Sequence, residues 1–153
     1  MKLLPILLAV TMLCAILLVA ADPAGFAMYT SAEVKSHLDA AKLDEHKAGA
    51  DRVATWGNHG LMFVRREGDG EAEVHDTQVD VIFVRSGEAT LVVGGTVLEP
   101  HTTGPGEIRG KAIQGGVRKK MAPGDVFHIP AKIPHQMLVP KLVTFEVVKV
   151  DSK

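Results

Sequence analysis

The feature that most constrains the fold is a series of short apolar runs after residue 51, separated by glycine, proline or charged residues. Most of the runs are rich in β-branched residues, which is typical of β-strands. They cover residues 60–64, 79–84, 89–93, 126–129, 136–139 and 142–150. Because no helix is predicted between them, parallel βαβ units are disfavoured and an antiparallel sandwich or barrel is predicted. The expected fold class is therefore all-β.

The first residues have the pattern of a secretory signal. Lys2 precedes an almost purely apolar run from Leu3 to Ala21, which ends in a small-x-small cleavage site. We expect cleavage before Asp22 and a periplasmic or secreted protein. The run also approaches the length that spans a bilayer, so contact with a membrane is expected only if the signal stays uncleaved.

Cysteine and charge exclude several classes of function. Cys14 is the only cysteine and lies in the signal, so the mature chain would have no disulfide and no thiolate nucleophile. Any metal would have to be held by His, Asp or Glu. The formal net charge is −1, which gives no reason to expect a nucleic acid partner.

The chain is divided into three segments: a signal at 1–21, an N-terminal lead with an amphipathic helix at 22–50, and a β-barrel domain at 51–153. Thr30 and Glu33 have the spacing of a capping box, and apolar residues at near-helical spacing predict a helix over about 31–46. The segment 94–121 is dense in glycine and is predicted to be a lid or binding loop with one short strand near 111–113. His101, in this segment, is expected on the surface.

Three residues that can bind metals lie close together in the segment 73–80. Glu73 and His75 are two residues apart and would share one face of a strand. Asp80 follows after a polar stretch; if the chain turns there, Asp80 begins a new strand and converges on the same interior. A buried carboxylate needs a cation, a hydrogen-bond donor or a shifted pKa to compensate it.

Two sequence motifs resemble those of the cupins, a superfamily of small β-barrels. The segment EVHDTQVDVIFVRSG has the spacing of the first cupin motif and ends at Gly87, and PGDVFHIPAKIPH matches the second motif and ends at His135. The resemblance covers about residues 62–150. It implies a single antiparallel, jelly-roll-like barrel, here with a short N-terminal helix after the signal.

The resemblance also implies a divalent metal ion inside the barrel. Its ligands would be Glu73, His75, Asp80 and His135, where Glu73 replaces the first histidine of the motif and Asp80 replaces its glutamate. Iron, manganese, nickel or zinc would suit such a set. Because Asp is shorter than Glu, Asp80 could instead lie outside the direct ligands, with Gln78 or water in its place. The alternative for the four predicted ligands is a structural polar cluster without a metal. His128 is expected to be an ordinary strand histidine.

Three functions remain open at this stage. The first is an exported metal-dependent enzyme acting on a small molecule, of oxygenase or isomerase type, with Met62, Phe83, Phe127 and Met137 as candidates to line its pocket. The second is a non-catalytic module that binds a small ligand or a carbohydrate. The third is a metal-free structural cupin. We also expect a homodimer, unless the long apolar strand at 142–150 is paired within its own sheet.

Overall fold

The computed structural model describes residues 21–152 of the chain. Within this range one helix, α1, spans Ser31–Ala40 and is followed by strands. The strands are β1 Ala48–Trp56, β2 His59–Arg66, β3 Ala72–His75, β4 Gln78–Gly87, β5 Ala89–Val93, β6 Thr96–Leu98, β7 His101–Gly104, β8 Glu107–Gly110, β9 Ala112–Gln114, β10 Val117–Met121, β11 Val126–Ile129, β12 His135–Leu138 and β13 Val143–Asp151. All six predicted runs are strands, and the predicted all-β class is confirmed.

Two larger antiparallel sheets form the barrel. The first, sheet A, has the strand order β1-β2-β13-β4-β11, and the second, sheet B, has the order β10-β5-β12-β3-β8-β7. A small ribbon of β6 and β9 completes the structure. The apolar strand β13 pairs with β2 on one side and β4 on the other, so its hydrogen-bonding edges are satisfied within sheet A.

The hydrophobic core lies between the inner faces of the two sheets. Buried aliphatic and aromatic side chains from both sheets pack there, among them Ile82, Leu91, Met137, Phe145 and Val147. Alternation along β4 places Ile82 and Val84 in this core, whereas Phe83 on the opposite face is 37% exposed. The outer face of β4 is therefore partly open to solvent.

The N-terminal helix is shorter than the predicted 31–46. Its capping box is confirmed, since the Thr30 side chain accepts from the Glu33 amide while Glu33 bonds back to the Thr30 amide. The helix ends at Ala40, and Asp44 then organises a turn. Its carboxylate accepts hydrogen bonds from the amides of His46 and Ala48, at 2.9 Å each, and Ala48 begins β1. The sheet therefore starts before residue 51.

The segment 94–121 is not a loop. It contains the five short strands β6 to β10, each only three to five residues long. Glycine pairs at 94–95 and 115–116 have positive φ and allow the tight turns that connect these strands. The prediction of a loop was wrong because strands this short and polar show no clear apolar alternation. Because these short strands form, β8 lies directly beside β3, which carries two of the predicted ligands.

The predicted signal lies almost entirely at residues 1–20, outside the described residues, and remains a prediction. Within residues 21–152, no helix is long and apolar enough to cross a membrane.

Candidate metal centre

Two of the predicted ligands, Glu73 and His75, lie on β3 with one residue between them. Both side chains enter the barrel, and His75 Nε2 lies 3.5 Å from Glu73 Oε2. His75 is almost completely buried, with 3% of its surface exposed. The expectation that the two residues share one strand face is confirmed.

His135 reaches the same position from the neighbouring strand. It begins β12 and is the register partner of Glu73 across the sheet. Its Nε2 lies 3.9 Å from Glu73 Oε2, and its ring centroid lies 5.3 Å from that of His75. Donor atoms of Glu73, His75 and His135 all lie within 4.8 Å of one another, so these three residues form a buried group that could bind a metal ion.

The orientation of both imidazoles is fixed through Nδ1. His75 Nδ1 lies 2.7 Å from Glu107 Oε2, and His135 Nδ1 lies 3.1 Å from the carbonyl oxygen of Ile133. Because both partners are acceptors, each Nδ1 carries the hydrogen and donates it. Each neutral ring then has its lone pair on Nε2, directed at the shared centre. Histidine ligands of metals are commonly held by such a second partner.

Glu107 was not predicted as a site residue. It lies on β8 as the register partner of His75, and Arg109 on the same strand is the partner of Glu73. Arg109 Nη1 lies 3.5 Å from Glu73 Oε2 and 3.4 Å from Glu107 Oε2. Glu107 and Arg109 are charged residues at the spacing of neighbours on one strand face, which indicates a strand at the site. The glycine content of the segment predicts a loop instead.

Asp80 approaches the centre from sheet A. A turn at residues 76–77 separates β3 from β4, as the sequence suggested, and Asp80 Oδ2 lies 3.6 Å from His75 Nε2 and 3.7 Å from His135 Nε2. Its closest charged partner, however, is a lysine. Lys149 Nζ lies 2.8 Å from Asp80 Oδ1 and 3.1 Å from Asp80 Oδ2.

Lys149 is a further site residue that sequence reasoning missed. It is the register partner of Asp80 on β13, and its Nζ also lies 3.0 Å from His75 Nε2. The signal was in the alternation of β13: Val143, Phe145 and Val147 are buried, and Lys149 continues the same face. Lysine is rarely buried unless it is paired, so a lysine on the inward face of an apolar strand indicates a buried partner.

The carboxyls of Glu73 and Asp80 are both stabilised as anions. Burial alone would raise the pKa of each, but donors and cations around them have the larger combined effect and lower it. For Glu73 these are protonated His75, Arg109, protonated His135 and Arg66, and for Asp80 they are protonated His75 and Lys149. The two arginines and Lys149 remain cationic when the histidines are neutral. Both carboxylates are therefore ionised at neutral pH.

The two histidines differ in their affinity for a proton. Burial lowers the pKa of His135 despite the nearby carboxylates, so its ring is neutral at pH 7. Burial also opposes charging of His75, but Asp80 and Glu73 raise its pKa to about 9. The contact with Lys149 instead indicates a neutral His75. Lys149 Nζ lies 3.0 Å from His75 Nε2, and two N–H groups cannot face each other at this distance. We assign the neutral ring to the state with this contact.

The donors adjoin a cavity of about 270 Å³ inside the barrel. Part of its lining is apolar, and the rest carries the charged site residues together with Arg66, Arg109 and Gln136. The apolar residues include Met62, Val64, Ile82, Leu91, Met137, Phe145 and Val147. A space of this size accommodates a small molecule.

Other candidates from the sequence lie outside this centre. Gln78 donates to Asp151 Oδ1 at 2.8 Å on the surface, so it does not supply a ligand atom. His101 and His128 are exposed. Met62 and Met137 line the cavity as suggested, whereas Phe83 and Phe127 do not.

Comparison with solved structures identifies the fold as that of the cupins. The cupin domain of Cnp3 from Schizosaccharomyces pombe is similar with a TM-score of 0.54 and 9% identity, over 75% of this chain and 72% of that domain. A Cupin 2 conserved barrel domain protein from Salinispora arenicola has a TM-score of 0.51 and 17% identity, over 74% and 82%. A cupin superfamily protein from Desulfitobacterium hafniense has a TM-score of 0.51 and 12% identity, over 72% and 84%.

These structures are similar in fold, and the chain is a cupin barrel by its architecture. Neither the family models nor the curated proteins compared with the sequence match it.

Proposed function

We propose that the protein binds a divalent metal ion through Glu73, His75 and His135 and acts on a small molecule in the barrel cavity. The observation that supports this most directly is the orientation of the two histidines. Glu107 and the Ile133 carbonyl hold the Nδ1 hydrogens, so that both Nε2 lone pairs face the Glu73 carboxylate. A mixed imidazole and carboxylate set suits iron, manganese, nickel or zinc.

The bound ion would polarise a substrate oxygen or activate a water molecule. The protein supplies the remaining functions. Arg66 and Arg109 line the cavity, and their ion pairs with Glu73, at 3.3 Å and 3.5 Å, are longer than strong charge-assisted hydrogen bonds. Their remaining N–H groups are suited to orient an anionic substituent, such as a carboxylate. Asp80, which is ionised and is not among the three proposed ligands, is suited to accept a proton.

Metal analysis of the purified protein tests the proposal. We expect near-stoichiometric iron, manganese, nickel or zinc in the wild type and its loss in His75→Ala and His135→Ala. His128→Ala is the matched control, because it removes an exposed histidine from the same barrel. Absence of metal from the wild type, even after reconstitution with each ion, would sink the proposal.

Turnover requires a separate measurement. Oxygen uptake and product analysis with a panel of small acids, phenols and sugars would distinguish an oxygenase from an isomerase. His135→Ala should abolish whichever reaction is found.

A second candidate is non-catalytic binding of a small ligand or carbohydrate. The contacts of Lys149 favour it, because an ammonium already balances the charge of Asp80 inside the cavity. Saturable ligand binding by metal-free protein, without product formation, would support this candidate over the enzyme.

Export and dimerisation are also proposals. An N-terminus at Asp22 in protein recovered outside the cytoplasm would support cleavage of the signal. A monomeric elution profile at micromolar concentration would count against the dimer.

A further inference from the structure

Lys149 lies between Asp80 and His75, and His75 is one of the three proposed metal ligands. Its ammonium is 3.0 Å from His75 Nε2 and within 3.1 Å of both oxygens of Asp80. The side chain is only 15% exposed, so this position is enclosed by protein. The contact is built into the strand register, since Lys149 and Asp80 are direct partners across β13 and β4.

His75 Nε2 has a single lone pair. A hydrogen bond from Lys149 and a bond to a metal ion both require it, so the two cannot exist together. Asp80 adds a second conflict, because its two oxygens are both held by the same ammonium. An ion that recruited Asp80 would also come close to a positive charge with little water between them.

We propose that Lys149 is a tethered cation that competes with the metal ion for the centre of the barrel. The centre holds either the Lys149 ammonium or a divalent ion bound by His75, and loading requires the lysine side chain to move into the adjoining cavity. This inference rests on the proposed metal site and adds a regulating residue to it. The consequence is that the wild-type protein binds metal more weakly than its three donor residues alone would allow.

Calorimetric titration of chelator-treated protein with Zn²⁺ alone and with Mn²⁺ alone tests this competition. Lys149→Met keeps a chain of similar length without the charge, and it should bind at least about tenfold tighter than the wild type. Lys120→Met is the matched control, because Lys120 is exposed on the edge strand β10 and lies outside the cavity lining. It should bind as the wild type does.

A stability measurement provides a readout independent of affinity. Without metal, Lys149→Met leaves Asp80 buried without its counter-ion, so its thermal midpoint should fall below that of the wild type. Added Zn²⁺ should raise this midpoint more than it raises the wild-type midpoint. If the Met variant does not fold, Lys149→Gln retains a hydrogen-bond donor for Asp80 and serves in its place.

The outcomes separate this inference from the proposed function. Equal affinities in wild type and Lys149 variants would overturn the competition and leave the metal site intact. Binding by the variant but none by the wild type would support the competition and overturn metal dependence of the native protein. Failure of the wild type and of the Lys149 variants to bind either Zn²⁺ or Mn²⁺ would overturn both the competition and the proposed metal site.

Discussion

At the scale of single residues, each charged group of the centre is positioned by a direct cross-strand partner. His75 faces Glu107, Glu73 faces both Arg109 and His135, and Asp80 faces Lys149. Such pairs have Cβ atoms about 4.5–5.5 Å apart, so the strand register alone brings the charges into contact. A one-residue shift of any of these strands would turn its site residue out of the barrel.

Glu107 is the residue whose role can be tested most directly. Removal of its carboxylate in Glu107→Ala frees the His75 Nδ1 hydrogen, and the ring can then rotate or change tautomer. We expect metal affinity to fall about 10–100-fold, as is usual when the partner of a ligand histidine is lost. Isothermal titration with Zn²⁺ measures the change.

Glu107→Gln retains an oxygen that can accept from Nδ1, so it should recover most of the affinity. Glu99→Ala is the control, because Glu99 is exposed and pairs with Lys111 outside the metal site. Equal loss in the Gln and Ala variants would show that charge, and not tautomer control, is what Glu107 contributes.

At the scale of elements, the sequence predicted the strands that carry a clear apolar run and missed most of those that lack one, including the nine-residue strand β1. β4 and β13 are long apolar segments with many β-branched residues, and their tertiary environment agrees with their propensity. β8 has only four residues, and neither alternation nor composition identifies it. Glu107 and Arg109 were missed for this reason, while Glu73, His75, Asp80 and His135 were found through their motif. Lys149 lies in a predicted strand and on its apolar face, but its partner Asp80 follows only from the register between β13 and β4.

The turn between β4 and β5 depends on Gly87. Its φ is +74°, and a Cβ at this position would lie 2.0 Å from the carbonyl oxygen of Leu142. Gly87→Ala therefore combines an unfavourable left-handed conformation with a clash against backbone. We expect a loss of roughly 3 kcal/mol or more in unfolding free energy, of which the left-handed conformation alone accounts for about 1–2 kcal/mol.

Gly94 provides the control for this prediction. Its φ is +75°, nearly the same, but a Cβ added there would have no neighbouring atom within 4 Å. Gly94→Ala should lose only the conformational part, about 1–2 kcal/mol. Urea denaturation measures both variants, and equal losses would show that the contact with Leu142 is unimportant.

At the scale of the whole molecule, the centre joins the two sheets of the barrel. Glu73, His75 and His135 belong to sheet B, whereas Asp80 and Lys149 belong to sheet A. The Lys149 contact with His75 is thus one of several polar links between the two sheets, along with the Arg66 contact with Glu73. An ion bound to the native centre has no equivalent site in the unfolded chain, where these residues are separated along the sequence. Binding should therefore stabilise the entire fold.

The expected size of this stabilisation follows from mass action. At a free Zn²⁺ concentration one hundredfold above its Kd, the unfolding free energy should rise by about 2.7 kcal/mol, and the thermal midpoint should rise with it. Each further tenfold increase in Zn²⁺ should add about 1.4 kcal/mol, because the gain grows with the logarithm of concentration. Differential scanning calorimetry of wild type, His135→Ala and His128→Ala measures the effect. The gain should disappear in His135→Ala and persist in His128→Ala; a gain that persists in both would mean that Zn²⁺ binds elsewhere on the protein.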